Sequence, residues 1–122
     1  MAAEQDLKTL IWLGSSRKDF IAFPEDVKSE MGYALFQAQA GGRHRNAKTL
    51  QGFGDAGVVE IIDDHRGDTY RTVYTIRFAA TVYVLHAFQK KSKAGIATPK
   101  SDQDLIAVRL REAARLHEEL KK

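Results

Sequence analysis

Thr69–Lys93 (TYRTVYTIRFAATVYVLHAFQKKSK) constrains this chain more than any other stretch. It predicts two strands, Thr69–Phe78 and Thr81–Phe88, joined by a short turn at Ala79-Ala80. β-Branched and aromatic residues fill both, which suits a pleated, half-buried surface. Alternation in the first strand puts Tyr70, Tyr74, Ile76 and Phe78 on one face and Arg71, Val73, Thr75 and Arg77 on the other. One face is apolar; the other carries guanidinium groups. The second strand is apolar through Val82, Tyr83, Val84 and Leu85, the pattern of a central strand covered on both sides. It leaves through His86 and Phe88 into Gln89-Lys90-Lys91-Ser92-Lys93. From Thr69 to Ser101 there is no Asp or Glu, against six Lys and Arg. A basic edge of this kind on a rigid sheet suits a polyanion, with RNA the first candidate.

A length of 122 residues fits one domain, 1–122, around one core. The net charge of +3 decides little, whereas its distribution matters: the acids sit in the N-terminal two-thirds and at the C-terminal end. No apolar run approaches the roughly 20 residues of a membrane span, so no membrane partner is expected. MAAEQDL lacks the basic start and apolar middle of a secretory signal. The absence of cysteine excludes disulfides and thiolate metal sites. A cytoplasmic location is the expectation.

Leu7–Leu13 reads as a first strand ending at Gly14-Ser15-Ser16, and Arg17–Ala22 as a short helical segment. Pro24 is placed to be the first residue of a helix, with Glu25 and Asp26 near its positive end. Val27, Met31, Ala34 or Leu35, and Ala38 recur at helical spacing, and Gly41-Gly42 ends the helix. Arg43–Lys48 is a basic loop and Leu50–Gly57 a turn; the latter's three glycines lack the lysine of a phosphate-binding loop. Val58–Ile62 is a third apolar strand and Asp63–Asp68 a hairpin turn. Asp63, Asp64, His65 and Asp68 form turns rather than a metal site, since no second ligand group stands near them in sequence. After Thr98-Pro99, Ser101 and Asp104 predict a capping box. Ile106, Leu110, Ala113, Leu116 and Leu120 then line one face of a final helix, with Arg109, Arg111 and Arg115 off that stripe and solvated. The order of strand, one or two helices, three antiparallel strands and helix predicts an α+β fold with helices packed on a small antiparallel-rich β-sheet.

Three segments carry a family resemblance. "YRxVY", "VYVLHAFxKKS" and "TP" at Tyr70–Tyr74, Val82–Ser92 and Thr98-Pro99 resemble the phage-derived, HigB-like branch of the RelE/ParE toxin superfamily. "PEDVKxExGYAL" at Pro24–Leu35 and "AKxLxGFG" at Ala47–Gly54 are similar to the same branch. The resemblance implies a RelE-like sheet with N-terminal helices and a C-terminal helix. It implies a toxin–antitoxin operon, a helix-turn-helix (HigA-like) antitoxin as partner, and cleavage of mRNA on the ribosome. Homo- or hetero-oligomers with the antitoxin belong to the same expectation.

Such cleavage needs neither metal nor cofactor if the ribose 2′-OH attacks its own phosphate. The site must then hold the phosphate, stabilise added charge and move two protons. By resemblance Arg71 matches the strand arginine used near the scissile phosphate, where its fork suits two oxygens. Lys90 and Lys91 sit where relatives place a basic residue after the last strand. His86 is the acid–base candidate by type; as a histidine ending a core strand, it is equally suited to capping backbone groups. His65 and Arg66 at the hairpin tip form a second candidate pair. Arg43, Arg45, Lys48 and Lys93 extend the basic surface as RNA contacts. Tyr70 and Tyr74, opposite Arg71, are expected in the core.

Two positions depart from the family pattern. Many HigB-like relatives carry Glu-Leu-Arg where this chain has Glu60-Ile61-Ile62, which removes one phosphate clamp. RelE-type members also use a tyrosine near the C-terminus, whereas the only aromatic ring here after Phe88 is that of His117. A ParE-like poison of DNA gyrase and a non-toxic phage-derived remnant therefore stand as alternatives on the same scaffold. An antitoxin is expected either to place acidic side chains toward Arg71, Lys90 and Lys91 or to pack on the helices.

Overall fold

The computed structural model describes residues 6–91 and 98–120. Along the chain lie β1 (Thr9–Trp12), α1 (Ser16–Ile21), α2 (Glu25–Gln39), β2 (Ala47–Thr49), β3 (Val58–His65), β4 (Asp68–Thr75), β5 (Thr81–Lys91) and α3 (Lys100–Leu120). The strands form one mixed sheet in the order β1-β5-β4-β3-β2, and the fold is α+β. β1 runs parallel to β5, while every other neighbouring pair is antiparallel. The two N-terminal helices carry the chain across one face of the sheet to the far edge. The β2–β5 meander then returns it beside β1.

Alternation divides the core into two layers. Val59, Ile61, Tyr70, Tyr74, Val82 and Val84 face α1 and α2, meeting Phe20, Phe23, Val27, Met31, Leu35 and Ala38. Val58, Val73, Tyr83 and Leu85 face α3, meeting Ile106 and Ala113. β5 is buried on both faces through Leu85, as its continuous apolar run predicts. Val27, Met31 and Leu35 on α2 each contribute roughly 1.5–3 kcal/mol from burial. Even Thr72, a polar residue in this layer, is satisfied: its hydroxyl donates to Met31 Sδ at 3.1 Å.

Boundaries depart from expectation where local chemistry competes. Pro24 is the N-cap of α2 rather than its first helical residue, with ψ at 152°. The C-terminal end is the predicted glycine cap. Gly41 takes φ +91°, and the N–H groups of Gly41 and Gly42 return to the carbonyls of Ala38 and Gln37 at 3.1 and 2.8 Å. The Asp63–Asp68 turn narrows to Arg66-Gly67, both at positive φ, so β3 runs on to His65. β4 stops at Thr75, short of Phe78, and the basic loop gives way to a fourth meander strand, β2. α3 starts at Lys100, which puts Ser101 inside the helix; Asp104 accepts from Lys100 Nζ at 3.2 Å, so the predicted capping box does not form. Leu120 is exposed, not buried. Arg109, expected in solvent, donates from Nη1 to the Leu85 carbonyl at 2.8 Å.

Candidate functional site

Strand register assembles the site. On the α3 side of the sheet one cross-strand row runs Lys48, Glu60, Val73, His86. The next runs Ile62, Arg71, Phe88, and the one beyond it Asp64, Thr69, Lys90. Lys48, Glu60, Arg71, His86 and Lys90 thus share the α3 side of the sheet. Arg71 and His86 are diagonal neighbours on adjacent strands, roughly 7–8 Å apart at Cα.

Arg71 is not displayed on an open basic face, as alternation alone suggested. It is only 4 % exposed. Its Nη1 donates to Glu60 Oε1 at 3.3 Å and to Thr98 Oγ1 at 3.1 Å. The region with no acid in its own sequence therefore receives one from β3. Burial raises the Glu60 pKa above its ordinary value, opposed by the charges of Arg71 and Lys48. A cavity of about 380 Å³ opens over the pair, walled by Lys48, Gln51, Thr98 and Gln103.

His86 owes its direction to a bulge. β4 and β5 pair Val73 with His86 but Tyr74 with Val84, leaving Leu85 as an extra residue. Leu85 packs in the α3-side core, and the bulge lets His86 face the same way instead of alternating. The ring is 6 % exposed and stacks on Phe88 at 4.6 Å between centroids. Its Nε2 meets Asp102 Oδ1 at 2.7 Å. The partner is thus a carboxylate on α3, not the backbone groups that a strand-end histidine suggested. With Nε2 donating to Asp102, Nδ1 carries the lone pair of the neutral ring, and no hydrogen-bond partner for it lies among the described residues. His86 borders a different cavity from Arg71, about 530 Å³, bounded by Phe23, Tyr70, Ala87 and Gln89.

The remaining candidates divide. Lys90 lies on the α3 side and is half-buried. Lys91 ends β5, and Lys93 lies outside the described residues. His65 sits on the opposite, α2 side against Tyr70, with ring centroids 6.4 Å apart, so it does not join Arg71. Arg66 is exposed at the hairpin tip. Arg43 and Arg45 are exposed beyond the C-terminal end of α2, where Arg43 Nη2 donates to Thr49 Oγ1 at 3.4 Å. Lys48 alone of the basic loop faces the Arg71 cavity. Tyr70 and Tyr74 are buried in the core. His117 packs on Phe78 and Tyr83 near the far end of α3, well along the helix from Asp102.

Two groups of this site were passed over in the sequence. Asp102 stands one turn before Ile106 on the sheet-facing stripe of α3, and an acid on such a stripe is itself a signal. Glu60 occupies the inward alternation between Val58 and Ile62. Among the described residues no group of three His, Asp or Glu side chains could hold a metal ion, and no helix is long and apolar enough to cross a membrane.

No curated protein matches the chain. Among solved structures it is similar to a chain in the crystal structure of the toxin–antitoxin complex RelBE2 from Mycobacterium tuberculosis. That likeness has 21% sequence identity and a TM-score of 0.44, covering 75% of this chain and 100% of that one. The profile of the phage-derived Gp49-like proteins (DUF891) matches residues 18–111, from α1 through all of the meander into α3, and the chain belongs to that family.

Proposed function

We propose that this chain is the toxin of a toxin–antitoxin pair and cleaves mRNA on the ribosome without a metal ion, the reading its HigB-like motifs imply. One observation carries it: a guanidinium and a carboxylate-oriented imidazole are diagonal neighbours on one side of a rigid sheet. Arg71 and Lys90 would neutralise the scissile phosphate. His86 takes the 2′-OH proton at Nδ1 as the 2′-oxygen attacks phosphorus. The P–O5′ bond breaks, leaving a 2′,3′-cyclic phosphate and a 5′-hydroxyl whose proton comes from a lysine ammonium or solvent. RNA reaches these groups when Thr98 parts from Arg71, while Asp102 keeps its hold on His86 Nε2.

The test is growth arrest on expression, together with mapping of mRNA ends. Arg71→Ala and His86→Ala should each relieve arrest, and Lys90→Ala should weaken it while leaving the fold intact. Undiminished arrest in all three, with each variant shown to be folded, sinks the proposed site. The buried Glu60–Arg71 pair favours a second reading, a phage-derived relative that keeps the fold without cleaving, because Arg71 is already matched by a carboxylate. Harmless expression of the folded wild-type chain without any antitoxin would select that reading. A DNA-damage response without loss of mRNA would instead point to a gyrase target.

A further inference from the structure

α2 carries two apolar stripes, and the fold covers one of them. Val27, Met31, Ala34, Leu35 and Ala38 are buried against the sheet. On the outward side Gly32, Tyr33, Phe36 and Ala40 follow one another at helical spacing. Tyr33 is 55 % exposed and Phe36 49 %. Gly32 is the unexpected member, because glycine is disfavoured in a helix interior. A Cβ there would meet nothing within 4 Å, so nothing among the described residues calls for glycine. The close approach of a second helix does.

The two ends of this stripe carry opposite charge. Glu25 and Asp26 occupy the first turn of α2. Arg43 and Arg45 stand exposed just beyond its last turn. They are held there by His44, which is buried between them in sequence. His44 Nε2 pairs with Glu30 Oε2 on α2 at 2.7 Å, and its Nδ1 accepts the Asn46 N–H at 3.0 Å. A shallow cavity of about 370 Å³ lies between Tyr33 and the two arginines.

We propose that this stripe is a self-association surface on which two copies of the chain pair their α2 helices antiparallel. Gly32 and Phe36 lie two residues either side of Ala34, so a twofold axis near Ala34 sets Phe36 of each copy over Gly32 of the other. The same register brings the Glu25 and Asp26 end of one helix against Arg43 and Arg45 of the other. A parallel pairing would set like charges together. Glu25 already has Lys28 Nζ at 2.9 Å, but that pair is open to water and weak enough to rearrange. A single helix pair buries less surface than a standard stable interface, so the dimer is reversible and depends on concentration.

Sedimentation velocity of the full chain, from micromolar to near-millimolar concentration, tests it. The expected result is a rise from monomer to dimer across the series, weaker at high salt. Phe36→Asp and Gly32→Leu should each stay monomeric while keeping the wild-type circular dichroism. Glu25→Arg with Asp26→Arg should weaken association at least tenfold. Adding Arg43→Glu and Arg45→Glu to the same chain should restore it, since each copy supplies both ends. A monomer at every concentration would overturn the proposal and leave the stripe to a different partner, another protein's helix or an RNA strand. A dimer indifferent to Phe36→Asp, or one that the four-charge exchange fails to restore, overturns it equally. None of these outcomes bears on growth arrest, so either reading can fail alone.

Discussion

Asp102 on α3 holds His86 on β5 at 2.7 Å, and the histidine faces that helix because Leu85 is an extra residue in β5. One bulge thus decides whether the most versatile acid–base group of the chain points at α3 or at α2. Asp102→Ala leaves a buried imidazole N–H without its acceptor, at a cost of about 1–3 kcal/mol. Asp102→Asn, which keeps an acceptor oxygen, should lose less. Urea unfolding measures both. Amide exchange should also quicken in the first turns of α3, which the pair fastens to the sheet. Unchanged stability and exchange in Asp102→Ala would show that the contact holds nothing.

Much of this architecture was legible in alternation and helical spacing. The three long strands, the buried stripe of α2 and its glycine cap all follow from residue type and period. What was not legible has physical causes. β2 is three residues, Ala-Lys-Thr, too short to show a period, and its edge position against β3 is a tertiary fact. The bulge at Leu85 leaves no trace in an apolar run that is buried on both sides. Arg71 looked exposed because alternation assigns a face but not what covers it. Its cover, Thr98 and the start of α3, comes from 27 residues further on. Ser101 looked like a cap because its side chain suits one, yet the helix starts a residue earlier. Arg109 lies off the apolar stripe and read as solvated, because spacing does not show that its long side chain reaches back to the Leu85 carbonyl.

The Glu60–Arg71 pair should behave as a unit. The side chains of Arg71 and Glu60 are nearly inaccessible, at 5% and 7% exposure respectively. Arg71→Met alone strands a buried carboxylate and should cost about 3–5 kcal/mol. Combining it with Glu60→Leu should recover most of that loss, because an apolar pair needs no matching charge. Unfolding of the four members of a double-mutant cycle measures the coupling. Additive losses would show that the 3.3 Å contact is not energetically coupled.

The same carboxylate makes a pH prediction. Burial lifts the Glu60 pKa above its ordinary 4.5, so the folded chain holds that proton more tightly than the unfolded one. Its contribution to stability is fully present below 4.5 and is lost as pH rises through the raised folded value. Asp63 shifts the same way, first from burial and then from the nearby charge of Glu30, so it adds a slope of the same sign. Glu60→Gln should therefore flatten, without abolishing, the fall in stability on raising pH from the acid side. Identical pH profiles for wild type and Glu60→Gln would contradict the shift.

Tyr74 offers an alkaline counterpart. Its hydroxyl is buried without a hydrogen-bond partner among the described residues, and burial pushes its pKa from 10.0 up to about 12. The unfolded phenol ionises first, so stability is present below pH 10 and lost as pH climbs toward 12. Tyr74→Phe removes both the stranded hydroxyl and this slope. Near neutral pH the variant should match or exceed wild type by up to about 1–2 kcal/mol. Between pH 10 and 12 it should lose stability more slowly, the remainder coming from Tyr83, whose pKa burial also raises. A clear loss at neutral pH would mean that the hydroxyl makes a bond after all.

Gly32 separates folding from association in one substitution. In a dilute, monomeric chain Gly32→Ala removes backbone entropy from the unfolded state and adds a methyl that meets nothing within 4 Å. The expected gain is about 0.5–1 kcal/mol, a rise in melting temperature of roughly 2–4 °C. At high concentration the same methyl lies where Phe36 of a second copy is placed, so association should weaken even as each chain becomes more stable. Differential scanning fluorimetry at low concentration and sedimentation at high concentration read the two effects separately. A lower melting temperature in the dilute chain would mean that the space above Gly32 is already filled. Gains in both stability and association would mean that the glycine does not mark where a second helix comes close.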